Sequence, residues 1–133
     1  MRGNGRDERG QALSVFVVVS VAALLLIAGL VVDGGRKTAA DRRAELTAAA
    51  AARAAVDATA PQRQAGHRPD AGVALAAAQE VLAGEPDIQG SVSLAADGTV
   101  RVTTSTSVDT VLLSLIGITR LPGNGNAAAQ LYD

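Results

Sequence analysis

The side chains that could do chemistry are few and scattered along the chain. Cysteine is absent and His67 is the single histidine, which excludes thiolate nucleophiles, disulfides and cysteine-based zinc sites. His67 stands in a polar stretch with Pro61, Gly66, Pro69 and Gly72 and has no cluster of carboxylates around it; a solvated side chain is expected there, not a base or a ligand. The tract Gly123-Asn124-Gly125-Asn126 has the glycine content of a phosphate loop. It lacks the lysine and the serine or threonine that would hold phosphate and metal, and it reads as a turn. No nucleophile elbow, zinc spacing or pair of carboxylates at a fixed helical offset occurs. The expectation is a protein without catalysis, cofactor, metal or small-molecule substrate.

Charge narrows the partners. The formal net charge is −1, and from Asp33 onward 11 acidic residues face 9 basic ones. No basic field is available to hold a phosphate backbone, so nucleic acid is not an expected partner. Hydrophobic residues make up 48% of the chain, but there is one Phe, one Tyr and no Trp. Much of the remainder is alanine, and any core must be thin.

The element that organises the rest is Ala12 to Val32, ALSVFVVVSVAALLLIAGLVV, with Ser14 and Ser20 as its only polar residues. Twenty-one helical residues reach roughly 31 Å, against a hydrocarbon core about 30 Å thick. A buried helix of a soluble domain would need more protein around it than this chain offers. A cleaved signal would need a shorter apolar region and a small-x-small site. Here the run ends at Asp33-Gly34-Gly35-Arg36-Lys37, and the nearest acceptable site, Thr38-Ala39-Ala40, lies beyond two charges. Arginines before the span and Arg36, Lys37, Arg42 and Arg43 after it leave orientation nearly undecided by charge.

Beyond Gly34-Gly35 the chain is helical by propensity, with 12 alanines among the 22 residues from Ala39 to Ala60. That helix can be a close-packing surface or a solvated stalk, and the glycine pair can break or merely bend it away from the span. After the linker Pro61 to Gly72, Val73 to Ala83 reads as a second helix, capped at Asp70 and stopped by Gly84 and Pro86. From Ile88 the period becomes alternating: Val92 and Leu94, the turn pair Asp97-Gly98, then Val100 and Val102 predict a hairpin. The run Thr103 to Thr106 prolongs its second strand with solvent-face hydroxyls. Val108 to Ile116 reads as a short helix capped at Thr106 or Ser107, packed on the sheet or offering Leu112, Leu115 and Ile116 to a partner. Ala127, Ala129 and Leu131 then alternate as a last strand.

Several of these segments together resemble one family. Arg9-Gly10-Gln11-Ala12 entering the span, Gly29 to Arg36 leaving it, the alanine-rich helix with Arg42-Arg43-Ala44-Glu45 and Ala51-Ala52-Arg53-Ala54-Ala55, and the tail Val111 to Ile118 are similar to TadE/TadG-like proteins of Flp (tight-adherence) pilus assembly, in an actinobacterial form. The resemblance implies an α+β protein: one N-terminal transmembrane helix extended by an alanine-rich helix, then a small pilin-like domain with a hairpin, a short helix and a last strand. Its divisions would be residues 1–11, a cytoplasmic tail; 12–32, the span; 33–60, the alanine-rich helix or stalk; 61–72, a linker; and 73–133, a small extracytoplasmic domain.

The implied role is a single-pass plasma-membrane protein acting in a type IVb-like pilus or the related secretion machine. Its partners would be the lipid bilayer and other assembly or pilin-like proteins, met through helix-helix contacts. Pilin-like members place a glutamate five residues after the processing glycine and a phenylalanine next to it. Counted from Gly10, phenylalanine falls at Phe16, but the glutamate position is Val15. Valine cannot neutralise a neighbouring terminal amine in an apolar bundle, so an unprocessed, TadG-like anchor is expected. The alternative is a secreted or membrane-anchored envelope-binding module unrelated to pili.

Overall fold

The computed structural model describes residues 7–132; residues 1–6 of the expected tail and Asp133 lie outside them. Helix α1 runs unbroken from Asp7 to Ala58, 52 residues, or about 78 Å of rod. Gly34 and Gly35 neither break nor end it. Both point to open space, so their cost is the backbone entropy of glycine, about 1 kcal/mol each relative to alanine, spread over a helix long enough to absorb it. After Thr59, a short α2 (Ala60–Gln64) begins with Pro61 in its first turn, where the missing N–H costs nothing. The expected linker therefore opens as a turn of helix. Helix α3 (Ala71–Ala83) starts at Asp70, whose carboxylate accepts from the N–H groups of Gly72 and Val73, as its capping position requires.

Three antiparallel strands follow in the order β1 (Gln89–Leu94), β2 (Thr99–Asp109), β3 (Arg120–Gln130). The Asp97-Gly98 turn closes β1 onto β2, with the Gly98 N–H donating to the Ala95 carbonyl at 3.0 Å. Gly98 has φ +82°, and a Cβ there would meet the Tyr132 carbonyl oxygen at 2.7 Å. Only glycine suits the position.

Two segments depart from expectation. Residues 106–109 are strand, since β2 pairs with β3 through Asp109↔Arg120; the short helix shrinks to a 3-10 turn over Leu113–Ile116 without a side-chain cap. Eleven consecutive pairs outweigh the local capping signal, and Thr106 and Val108 are β-branched residues suited to a strand. The Gly123-Asn124-Gly125-Asn126 tract is the middle of β3, not a turn. Its glycines face α1, where a Cβ on Gly123 would come within 2.7 Å of the Ala40 Cβ and one on Gly125 would collide with the backbone at Ala44 and Glu45.

The core lies between α1, α3 and one face of the sheet. Along α1 a buried stripe runs through Gly29, Asp33, Ala40, Ala44, Ala48, Ala51 and Ala55, with half-buried Lys37 completing the steps of three and four and Thr47 and Ala52 buried beside it. Ala74, Ala78 and Leu82 of α3, Val100 and Val102 of β2, and Leu131 complete the cluster. The alanine-rich helix is thus a packing surface, not a solvated stalk. Small side chains let backbones approach closely, and here a strand also joins the contact. The threonine run is divided by the strand period: Thr103 and Ser105 face solvent, while Thr104 is buried and donates to the Ala44 carbonyl of α1 at 2.7 Å.

Candidate functional site

From Leu13 to Val32 the large side chains of α1 are exposed. The most apolar window has a mean hydropathy of 3.1 and is 6% buried, so among the described residues almost nothing covers it, Leu112 over Gly29 excepted. The core helix of a soluble domain would be wrapped by other elements; this one is bare.

At the entrance, Gly10 lies within α1 and its carbonyl accepts from the Ser14 hydroxyl at 2.9 Å. Val15 and Phe16 project from the bare helix. The helix is thus continuous through the region that would be recognised in processing, and no acidic side chain lies between Gly10 and Val32.

The exit is where the structure builds something that sequence reasoning missed. Asp33, the first charged residue after the span, is fully buried. Its carboxylate accepts three backbone N–H groups: Val111 at 2.8 Å, Leu112 at 3.1 Å and Leu113 at 2.8 Å. These bonds, led by those from Val111 and Leu113, hold its pKa below the ordinary carboxylate value against the opposing effect of burial, with Arg36 adding a smaller pull. The three donors are successive amides of the loop joining β2 to β3, so the carboxylate acts as a clamp between the end of the span and the loop. The signal in the sequence was an acid directly after the apolar run; its partners lie 78 to 80 residues away.

The remaining sequence-predicted residues converge at the same end. Leu112 sits over Gly29, where a Cβ would come within 2.6 Å of the Leu112 Cβ. Leu115 and Ile116 are exposed beside it. The turn that carries them packs on α1 at the end of the apolar run, where Asp33 holds the loop amides, instead of on the sheet.

One turn further on, Lys37 pairs with Asp41 at 3.0 Å and donates to the Pro122 carbonyl at 3.0 Å, while Asp41 accepts from the Asn124 N–H at 3.0 Å. Two backbone groups of β3, the Pro122 carbonyl and the Asn124 N–H, are thereby taken up by α1 side chains, which blunts that part of the strand against pairing with other chains. Arg43 and Glu85 join α1 to the segment after α3 at 2.7 Å.

His67 is exposed, with its N–H donating to the Gln62 carbonyl. Among the described residues no group of three His, Cys, Asp or Glu side chains could hold a metal ion. The open groove between α1 and α3, about 610 Å³, is lined by Ala39, Ala50, Leu46 and Val81 together with Arg42, Thr47, Gly84 and the paired Arg43 and Glu85.

A bare apolar helix running directly into the spine of a small domain defines the class: an α+β protein on one candidate transmembrane helix. Residues 10–58 match the family model described as putative Flp pilus-assembly TadE/G-like. The chain therefore carries a TadE/G-like segment, and the match supports a role in Flp pilus assembly. It spans the candidate membrane helix and the alanine-rich spine and contains none of the sheet. No curated protein and no solved structure matches the chain.

Proposed function

We propose that this protein is a single-pass, plasma-membrane accessory component of Flp-type pilus assembly or the related secretion machine, with its N-terminus cytoplasmic and its domain outside. It acts by holding partners, through helix-helix contacts in the bilayer and contacts of the domain, and not by catalysis. The observation that carries this reading is the family match over residues 10–58 lying on one unbroken helix, which joins the span to the domain without a flexible linker. Cleavage at Thr38-Ala39-Ala40 would cut that helix within its packed stretch, since Ala40 is 4% exposed under β3. A release signal is poorly served by such a site.

Within the assembly, the unprocessed anchor is favoured over a polymerising pilin. At Val15 there is no carboxylate to meet a subunit's new terminal amine, and an uncompensated charge in an apolar bundle is costly. Intact-mass measurement of protein extracted from native membranes tests this. A mass that includes the residues before Gln11 is expected; a mass beginning at Gln11 would overturn the unprocessed role.

A further inference from the structure

We propose that the loop between β2 and β3, Val111 to Ile118, dips into the headgroup and acyl boundary of the leaflet on the domain's side, making a second membrane contact that fixes the domain's tilt. This rests on reading residues 12–32 as a membrane span. The loop is continuous with that span: Leu112 covers Gly29, which lies three residues, or about 4.5 Å along the helix axis, inside the end of the apolar run. The loop cannot reach Gly29 without approaching the lipid that surrounds it.

Composition and hydrogen bonding suit that environment. Thr110 to Thr119, TVLLSLIGIT, contains no charge. Leu115 is 80% and Ile116 64% exposed, with Val111 and Ile118 partly exposed around them. Most of the amide and hydroxyl donors that would resist lipid are satisfied internally. The amides of residues 111 to 113 bond Asp33; those of Leu115, Gly117 and Ile118 bond the carbonyls of Leu112, Ser114 and Leu113. The hydroxyls of Ser114 and Thr110 donate to the carbonyls of Val111 and Ile118. Unpaired backbone groups are what bars loops from lipid; the amides of residues 110–113, 115, 117 and 118 are paired, and the tip carbonyls of Leu115, Ile116 and Gly117 are left to the hydrated headgroup zone, which limits the loop to the boundary and keeps it out of the acyl core.

Behind the apolar tip stands a charged collar. Arg36 donates to the Asp109 carbonyl at 3.2 Å, and Asp109 pairs with Arg120 at 3.0 Å. Apolar tip, then a basic and acidic rim at headgroup level, is the layering of an interfacial segment.

The chain has no native cysteine, so single-cysteine variants of the full-length protein can carry an environment-sensitive fluorophore in vesicles of phosphatidylethanolamine and phosphatidylglycerol. For Leu115→Cys and Ile116→Cys, blue-shifted emission is expected, quenched at least about twofold by shallow spin-labelled lipids and less by deep ones. Val21→Cys should be quenched most by deep labels. Ala96→Cys, exposed in the hairpin turn at the far end of the sheet, should not respond. If Val21→Cys is quenched and both loop positions are not, the inference fails while the span stands. If Val21→Cys is not quenched, the span reading fails and the inference with it. Shielding of the loop that resists lipid quenchers and fades when lipid per protein is raised roughly tenfold would assign the contact to a second copy by mass action, and would overturn the proposal.

Discussion

Asp33 has no exposed surface, yet it stays charged because three amides converge on it. The sign of its pH dependence follows from the lowered folded pKa. The stabilisation is fully present above the ordinary carboxylate value of 3.8 and is lost as pH falls through the folded value. Asp41, lowered first by Lys37 and then by the Asn124 N–H, acts in the same window. The loop should therefore be fixed at neutral pH and released only in strong acid. Asp33→Asn keeps the shape but replaces one acceptor oxygen with a donor, so at neutral pH the amides of Val111, Leu112 and Leu113 should exchange roughly ten- to hundredfold faster, while those of β1 stay unchanged. Unchanged exchange in the loop would mean that the carboxylate does not hold it. Asp33 could be seen in the sequence only as the first charge after the span, because its role depends on donors beyond the reach of any local pattern.

At the scale of elements, the parts legible from sequence are those whose signals are local. The apolar helix, the Asp70 cap and the Asp97-Gly98 turn each carry their cause within a few residues, and each is found where its residues predict. The Gly123-Asn124-Gly125-Asn126 tract departs from its local signal for the same reason: glycine and asparagine mark turns locally, whereas here glycine is required by how closely α1 lies on β3. Thr104 shows the partner effect, a hydroxyl opposite Gly125 in the register that turns inward to bond the helix carbonyl. Gly125→Ala should therefore separate the strand from the helix. Because the colliding atoms are backbone, no rotamer change relieves it, and a loss of about 3 kcal/mol is expected, read as a shift in denaturant midpoint. Ala128→Gly, on the solvent face of the same strand, should cost about 1 kcal/mol or less. Equal losses at the two positions would rule out close approach as the reason for the glycine.

As a whole, the molecule is one rod with a small domain folded around its distal half. Every buried alanine of α1 lies at Ala40 or beyond, so the apolar first half of the rod adds the Gly29–Leu112 contact but no part of the main core. That core is narrow: Leu131, Val100 and Val102 are its largest fully buried apolar side chains. Its tightness comes from small residues, which bury little area per contact, so its stability should lie near the lower end for natural domains, about 5 kcal/mol. A fragment from Val31 to the end retains Asp33, the alanine spine, both α3 and the sheet, and loses one apolar contact. It should fold alone in water and melt cooperatively, with near-native chemical shifts for β1, β2 and β3 and altered shifts confined to the loop near Leu112. Non-cooperative melting, or shift changes spread through the sheet, would show that the apolar half of the rod is needed to fold the other.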